Sequence, residues 1–331
     1  MPIVYKPSEI LKNVYLIDTM QFSIPRITSA YCYWDGEKCL LMDIGTSDNV
    51  PIVIRALKKM HIPLEKVEGI MLTHYHFDHA GGSLRIWRKL VKRNPNFKII
   101  TTKKMREKLQ NAEDHIIGAR TTFGEFVGTM KPISPEFADQ AFFEVEPDSP
   151  LPLNLKNNYV LQLLSTPGHT GGHLSPTIFQ NNSPIFCFAG ETVGCLYHST
   201  KISPQPTSMP PNFNYDLTMQ SLEKLRKLNP INLAFCHFGV ITGSEDVNRY
   251  FEEFQEYMTS LRSTVIELYS KNPSTKFIVE NTALFFSSNG ERVDEYYRTV
   301  PQSQKFFKNL HLALIYGLLV DLGYRKSKYE K

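Results

Sequence analysis

Apolar positions along this chain change period several times, and each change predicts a different element. Val14–Asp18, Ser29–Trp34 and residues 38–43 are short runs of β-branched, aromatic and aliphatic residues, the composition of strands. Asp35-Gly36 between the last two is a hairpin signal. Residues 47–60 switch to helical spacing through Val50, Ile52, Ile54, Leu57 and Met60. An apolar run at 67–73 predicts a buried strand, 84–91 a helix and Lys98–Thr101 a further strand. Residues 103–152 then change character, with helix-forming stretches at 103–111 and 123–130 set between turn residues and prolines. We read this segment as a helical insertion of lid type, anchored by Phe123, Phe126, Phe137, Phe142 and Phe143. Strands resume at 159–164 and 185–189, and a proline-rich link (Pro204, Pro206, Pro210, Pro211) precedes a helix at 216–228 and a strand at 231–236. Helical patterns at 245–269 and 306–322 close the chain. The organisation expected is an α/β (α+β) domain over residues 1–245 and a mainly helical region over 246–331. That region would cover an edge of the first domain or help to form a homodimer.

Composition narrows the classes. With 42% hydrophobic and 21% charged residues, the 331-residue chain can bury a sizeable core. Its net charge of +4 is too mild to argue for nucleic acid or an anionic membrane. Five cysteines without a close metal-binding pair read as buried thiols in a reducing compartment, with Cys236 a candidate functional thiol because it adjoins His237. The N-terminal residues do not read as a signal peptide, and residues 310–322 are too short an apolar run to span a bilayer. A cytoplasmic protein is expected, acting on a small molecule, with neither nucleic acid nor membrane as partner.

Thr73-His74-Tyr75-His76-Phe77-Asp78-His79 carries the chemistry. It places three imidazoles and a carboxylate at the end of a buried strand, and these are the ligand types preferred by zinc and its first-row neighbours. His74 and His76 project to one side because strand side chains alternate. Asp78 and His79 fall on the turn that follows. Three more strand ends supply candidates: the glycine-rich bend Thr166-Pro167-Gly168-His169 with His173 beyond it, Gly190-Glu191, and Cys236-His237. The inventory is enough for two adjacent divalent ions, zinc first, with iron or manganese as alternatives. Tyr197, six residues past Glu191, is placed to donate a hydrogen bond to a substrate carbonyl. His61, His115, His198 and His311 have no matching context and read as ordinary polar residues, with His115 and His198 in segments that could line a mouth.

With these residues in view, the chain resembles the metallo-β-lactamase superfamily over residues 10 to 245. His74, His76, Asp78 and His79 meet its His-x-His-x-Asp-His signature, while His169, His237 and the Asp43-Ile44-Gly45 turn match further landmarks. The resemblance implies a four-layer αβ/βα sandwich. It assigns His74, His76 and His169 to a first metal and Asp78, His79 and His237 to a second, with His173 in a supporting role. Glu191 stands where the family has a bridging aspartate. Its extra methylene, about 1.5 Å of reach, puts the second metal in doubt and makes single-metal occupancy an alternative.

The activity implied is hydrolysis of an ester-like bond, a lactone or thioester, by metal-bound hydroxide, with Asp78 orienting it and passing its proton to the leaving group. The loop up to Tyr215 is similar to that of N-acyl homoserine lactonases. A glyoxalase II reading is weaker, because Cys236-His237-Phe238-Gly239 replaces that group's Cys-Gly-His-Glu-Tyr. Two further members of the superfamily stand as alternatives: a mononuclear-iron persulfide dioxygenase and an RNA-processing hydrolase.

Overall fold

The computed structural model describes residues 3–286 and 293–326. Two sheets lie face to face. In chain order the first contains β2 (Glu9–Leu11), β3 (Val14–Asp18), β4 (Ser29–Trp34), β5 (Cys39–Met42), β6 (Val67–Met71), β7 (Lys98–Thr101) and β8 (Phe142–Glu144), which also pair in that order. It starts as an antiparallel meander and turns parallel from β5 onward, where helices make the crossovers. The second sheet has the order β1 (Ile3–Val4), β15 (Gly239–Thr242), β14 (Asn232–Phe235), β11 (Ser183–Gly190), β10 (Leu174–Gln180), β9 (Tyr159–Ser165). A two-stranded ribbon, β12 (Cys195–Leu196) with β13 (Pro204–Gln205), stands beside it.

Tyr31 fastens the two sheets. Its ring lies 5.6 and 4.7 Å from those of Phe186 and Phe188 on β11, and its hydroxyl donates to the carbonyls of Phe235 and Gly239 at 2.8 and 2.9 Å. A buried phenol must find an acceptor or lose the hydrogen bonds it had in water. Here it bonds to backbone on the far sheet, so the same group supplies packing and register.

Helices flank both sheets. α1 (Val50–Lys59) buries Val50, Val53, Ile54 and Leu57 against the first sheet and leaves Arg55, Lys58 and Lys59 outside, the spacing of one helix face. After the short α2 (Phe77–Ala80), α3 (Ser83–Leu90) buries Ile86, Trp87 and Leu90. α4 (Lys103–Gln110), α5 (Glu113–Phe123) and α6 (Ala138–Ala141) follow β7, and α7 (Tyr215–Leu228) precedes β14. The C-terminal helices are α8 (Ser244–Lys271), α9 (Thr275–Asn281), α10 (Tyr296–Thr299) and α11 (Pro301–Asp321). No helix among the described residues is long and apolar enough to cross a membrane.

Several expected elements need correcting. The second helix of the 103–152 segment is not 123–130 but Glu113–Phe123, with a single 3₁₀ turn at Gly124–Val127 beyond it. Gly124 and Gly128 adopt φ of +58° and +64°, which ends the α-helix where the apolar spacing alone would continue it. The segment also ends in a strand, since β8 joins the edge of the first sheet. Strand β10 was not foreseen because Pro176 speaks against a central strand. Pairing with β11 begins only at Thr177, so the missing Pro176 N–H breaks no ladder bond on that side.

The C-terminal helices share their core with the second sheet. Tyr250 on α8 sets its ring edge-on to that of Phe235 at 4.8 Å, and α8 covers β14 and β15. At its closest, α11 meets the proline-rich loop: Ser208 Oγ donates to the Leu314 carbonyl at 2.8 Å, and a Cβ on Gly317 would fall 1.8 Å from the Ser208 carbonyl oxygen. Backbone against backbone leaves nothing flexible to yield. Gly317→Ala is therefore expected to destabilise the protein by about 2 kcal/mol or more, read as a drop of several degrees in Tm; an unchanged Tm would refute the packing described.

Candidate metal centre

Seven predicted side chains come together where the strand ends of the two sheets meet. His74 and His76 leave the end of β6, Asp78 and His79 sit on α2, His169 tips the β9–β10 loop, Glu191 follows β11 and His237 follows β14. Glu191 lies at the middle. Its Oε2 is 3.0 Å from Nε2 of both His74 and His169 and 3.4 Å from Nε2 of His79, while Oε1 is 3.7 Å from Nε2 of His237. His76 joins through its other nitrogen, Nδ1, 3.0 Å from His169 Nε2. Asp78 Oδ2 is 3.2 Å from His79 Nε2 and 3.5 Å from His237 Nε2. The longer Glu191 side chain thus faces both halves of the cluster rather than turning away.

Two groups of donor atoms could each hold an ion: His74, His76, His169 and Glu191, and His79, Glu191, Cys236 and His237. Cys236 enters the second group although the sequence reading put Asp78 there. Burial pushes its thiol well above the usual range, whereas Asp78 offers a carboxylate held ionised.

The surroundings aim these rings. His169 Nδ1 and His237 Nδ1 lie 2.6 and 2.8 Å from the carbonyls of Thr207 and Ile27, which makes each Nδ1 the donor and leaves each Nε2 lone pair facing inward. Asp43 accepts from both the backbone N–H and the hydroxyl of Thr73, at 2.8 and 2.7 Å, fixing the residue before His74. The Ile44 and Gly45 amides donate to the His79 carbonyl at 3.0 and 3.2 Å, so the Asp-x-Gly turn clamps the histidine motif.

His173 does for Glu191 what Asp43 does for His74. Its Nε2 accepts the Glu191 N–H at 3.1 Å, and Nδ1 lies 3.0 and 2.8 Å from the hydroxyls of Thr166 and Thr192. Gly190, at φ +58°, lets it approach, for a Cβ there would sit 2.5 Å from His173 Nε2. His173→Ala is expected to weaken metal affinity about 10- to 100-fold, the usual effect of losing a partner of a ligand; chelator competition measures this.

Electrostatics match the donor set. Burial holds His74, His76 and His237 in the neutral form, pushing their pKa values below the ordinary range. Burial alone would raise Glu191, yet His169, His74 and His79 keep its carboxyl well below the usual range. Asp78 is likewise lowered against burial by His79, whose own pKa Asp78 raises in spite of burial. Neutral imidazoles and ionised carboxylates are the states that ligate divalent cations, so His79 alone must give up a proton that Asp78 favours when an ion binds. His74 Nε2 and both ring nitrogens of His79 are buried without a hydrogen bond of proper geometry. Buried polar atoms left this way are costly unless something else satisfies them, and a divalent ion would.

Above the cluster opens a cavity of about 970 Å³. Its wall is drawn from α5, the proline-rich loop and α11, including Phe123, Met209, Pro210, Phe306 and Leu314. Tyr197 is buried in this wall, its ring 5.8 Å from that of His237. The other histidines divide. His198 Nδ1 accepts the amides of Thr200 and Lys201 at 3.1 and 3.0 Å and so braces its own turn. His115, read from sequence as an ordinary polar residue in a segment that could line a mouth, lines the cavity and lies parallel to His76 at 4.9 Å. The only signal that could have found it is its place in the segment expected to form a lid.

Together, the mixed sheets, the flanking helices and the histidine–carboxylate cluster define a metallo-hydrolase type of fold. The chain belongs to the metallo-beta-lactamase superfamily, whose pattern matches residues 23–237. It is 24% identical over 235 residues to the metallo-beta-lactamase fold-containing protein ST1585 of Sulfurisphaera tokodaii, covering 70% of this chain and 80% of that one. The crystal structure of ST1585 superposes with a TM-score of 0.62 at 19% identity, covering 94% of this chain and 99% of the other. The probable metallo-hydrolase MJ0888 of Methanocaldococcus jannaschii is 30% identical over 158 residues, 48% of this chain and 64% of that protein. A B3 metallo-beta-lactamase described as having an active-site glutamic acid shares the fold, with a TM-score of 0.53 at 15% identity over 78% of this chain and 90% of the other.

Proposed function

We propose that this protein hydrolyses a small apolar lactone or thioester with the help of two divalent metal ions, zinc first. The observation that carries the reading is the cavity of about 970 Å³ that opens directly onto the cluster, with Phe123, Met209, Pro210, Phe306 and Leu314 in its wall beside polar residues such as Lys108, Asp114 and Asn212. Such a space suits an acyl group and keeps bulk water from the reacting bond. His74, His76 and His169 would hold one ion and Asp78, His79 and His237 the other, with Glu191 shared. When bound, the ions supply Lewis-acid polarisation of a carbonyl and an activated water.

The chain's own residues do the rest. Asp78 Oδ2, ionised and open to the cavity, receives the proton of the attacking water and delivers it to the leaving group. The Tyr197 hydroxyl, kept protonated by burial, donates to the substrate carbonyl oxygen. Five buried, unpaired cysteines support a reducing, cytoplasmic setting.

The test is metal analysis of the purified protein together with rates on γ-nonalactone, an aliphatic thioester and bis(4-nitrophenyl) phosphate. Metal-dependent turnover of the first or second is expected. Turnover confined to the phosphodiester, or a single iron with oxygen consumption on a persulfide, would replace this reading.

A further inference from the structure

His115 departs from what its sequence context suggests. It lies in the first turn of α5, outside every motif, yet its ring is parallel to that of His76 (interplanar angle 7°) and edge-on to Tyr75 at 5.2 Å. Its Nε2 accepts the backbone N–H of Phe77 at 3.0 Å. Phe77 opens α2, so this N–H is one of the donors a helix start leaves without an internal partner.

That one bond fixes the ring's chemistry. A neutral imidazole has one nitrogen that donates and one that accepts. With Nε2 accepting from a peptide, the proton must sit on Nδ1, and a second proton could enter only by breaking the bond to Phe77. Among the described residues Nδ1 has no hydrogen-bond partner, and the half-buried ring forms part of the cavity wall. An unsatisfied N–H is therefore held at the edge of the cavity beside His76. Tyr197 stands next to His237, at the other end of the cluster.

We propose that His115 is a further catalytic residue, whose Nδ1–H donates a second hydrogen bond, from the side opposite Tyr197, to the substrate's acyl oxygen as that oxygen gains negative charge. This rests on the hydrolytic reading above. The proton stays on Nδ1 throughout, so His115 stabilises charge and transfers nothing. A donor locked in position by a backbone bond needs no reorganisation when charge develops, which is what makes such groups effective. It also gives α5 a part in the chemistry, beyond closing the cavity.

Two substitutions separate this role from simple bracing of α2. Asparagine places its amide near the position of Nδ1, keeping a donor to the cavity while losing the acceptor for Phe77. Glutamine reaches the position of Nε2, keeping that acceptor while losing the donor. His115→Gln is expected to lower kcat about 100-fold at unchanged metal content, the usual effect of removing one such donor, and His115→Asn should retain most of it. Loss in His115→Asn with activity kept in His115→Gln, or equal loss in both, would overturn the proposal.

Binding of hexylphosphonate to the metal-loaded protein, measured by calorimetry, gives a readout that does not depend on which ester is the substrate. His115→Gln should weaken it about 10-fold or more, as expected for a lost hydrogen bond to a charged group. Unchanged affinity in that variant would also overturn the assignment. Absence of turnover on lactones and thioesters, by contrast, would sink only the choice of substrate.

Discussion

Replacing His76 with alanine is expected to lower hydrolysis by about 10³-fold or more, a loss of roughly 4 kcal/mol of transition-state stabilisation. His76 offers Nδ1 to the cluster 3.0 Å from His169 Nε2, and it belongs to the first of the two donor groups. Its side chain is only half-buried and opens to the cavity, so truncation removes a donor without emptying the core. His74, sealed at 0% exposure, would confound the two effects. Metal content and initial rates on the same preparation, with circular dichroism to establish the fold, check the prediction. Retention of more than about a tenth of the rate would contradict the placement of the reaction at this cluster, because losing one ligand should cost far more.

Glu191→Ala should act on metal number as much as on rate. No other carboxylate among the described residues faces His74, His169, His79 and His237 together. Its removal takes away the negative charge that both donor groups share, and the ions would then be held close together without it. The expected result is a drop from two ions per chain to one or fewer, with a rate loss of at least about 100-fold, in the range seen when electrostatic groups at a reacting centre are removed. Glu191→Asp should fall between, since shortening the side chain draws the carboxylate back by about 1.5 Å. Elemental analysis after dialysis reads the stoichiometry directly. Two ions retained in Glu191→Ala would mean that Asp78 and the imidazoles suffice.

Much of this site can be seen before any folding is considered. His74, His76, Asp78 and His79 occupy adjacent positions, so local geometry alone brings them near one another. His169, Glu191 and His237 are separated in the chain, but each follows an apolar strand-like run, and strand ends in layered folds tend to meet. His173 is visible for the same reason, four residues past His169. His115 is different in kind. It sits among Glu113, Asp114, Ile116 and Ile117 with no motif around it, and only the docking of α5 against α2 sets it on His76. Cys236 was noticed for its neighbour His237, while its inclusion among the donor atoms follows from the direction in which β14 ends.

The elements show the same division. Runs such as Val14–Asp18 and Lys98–Thr101 carry their own signal, because burial of one or both faces requires apolar residues at fixed spacing. Leu174–Gln180 conceals its signal behind Pro176, which is harmless only because of where pairing with β11 begins. Glu113–Phe123 ends at a glycine with positive φ, a backbone state that apolar spacing does not encode.

The sandwich class was legible only through the resemblance that the motif residues carry; the amino-acid order by itself determined the metal-ligand types and the crowding of imidazoles at one strand end. These depend on local period and side-chain chemistry, which a linear reading contains. Only the folded chain decided that Glu191 reaches both halves of the cluster, that α11 and α5 wall the cavity, and that His115 presents an N–H beside His76. Each of those brings together segments well separated in the chain, as with Phe77 and His115, 38 residues apart. Such contacts are set by the packing of whole elements, and no short stretch of sequence holds that information.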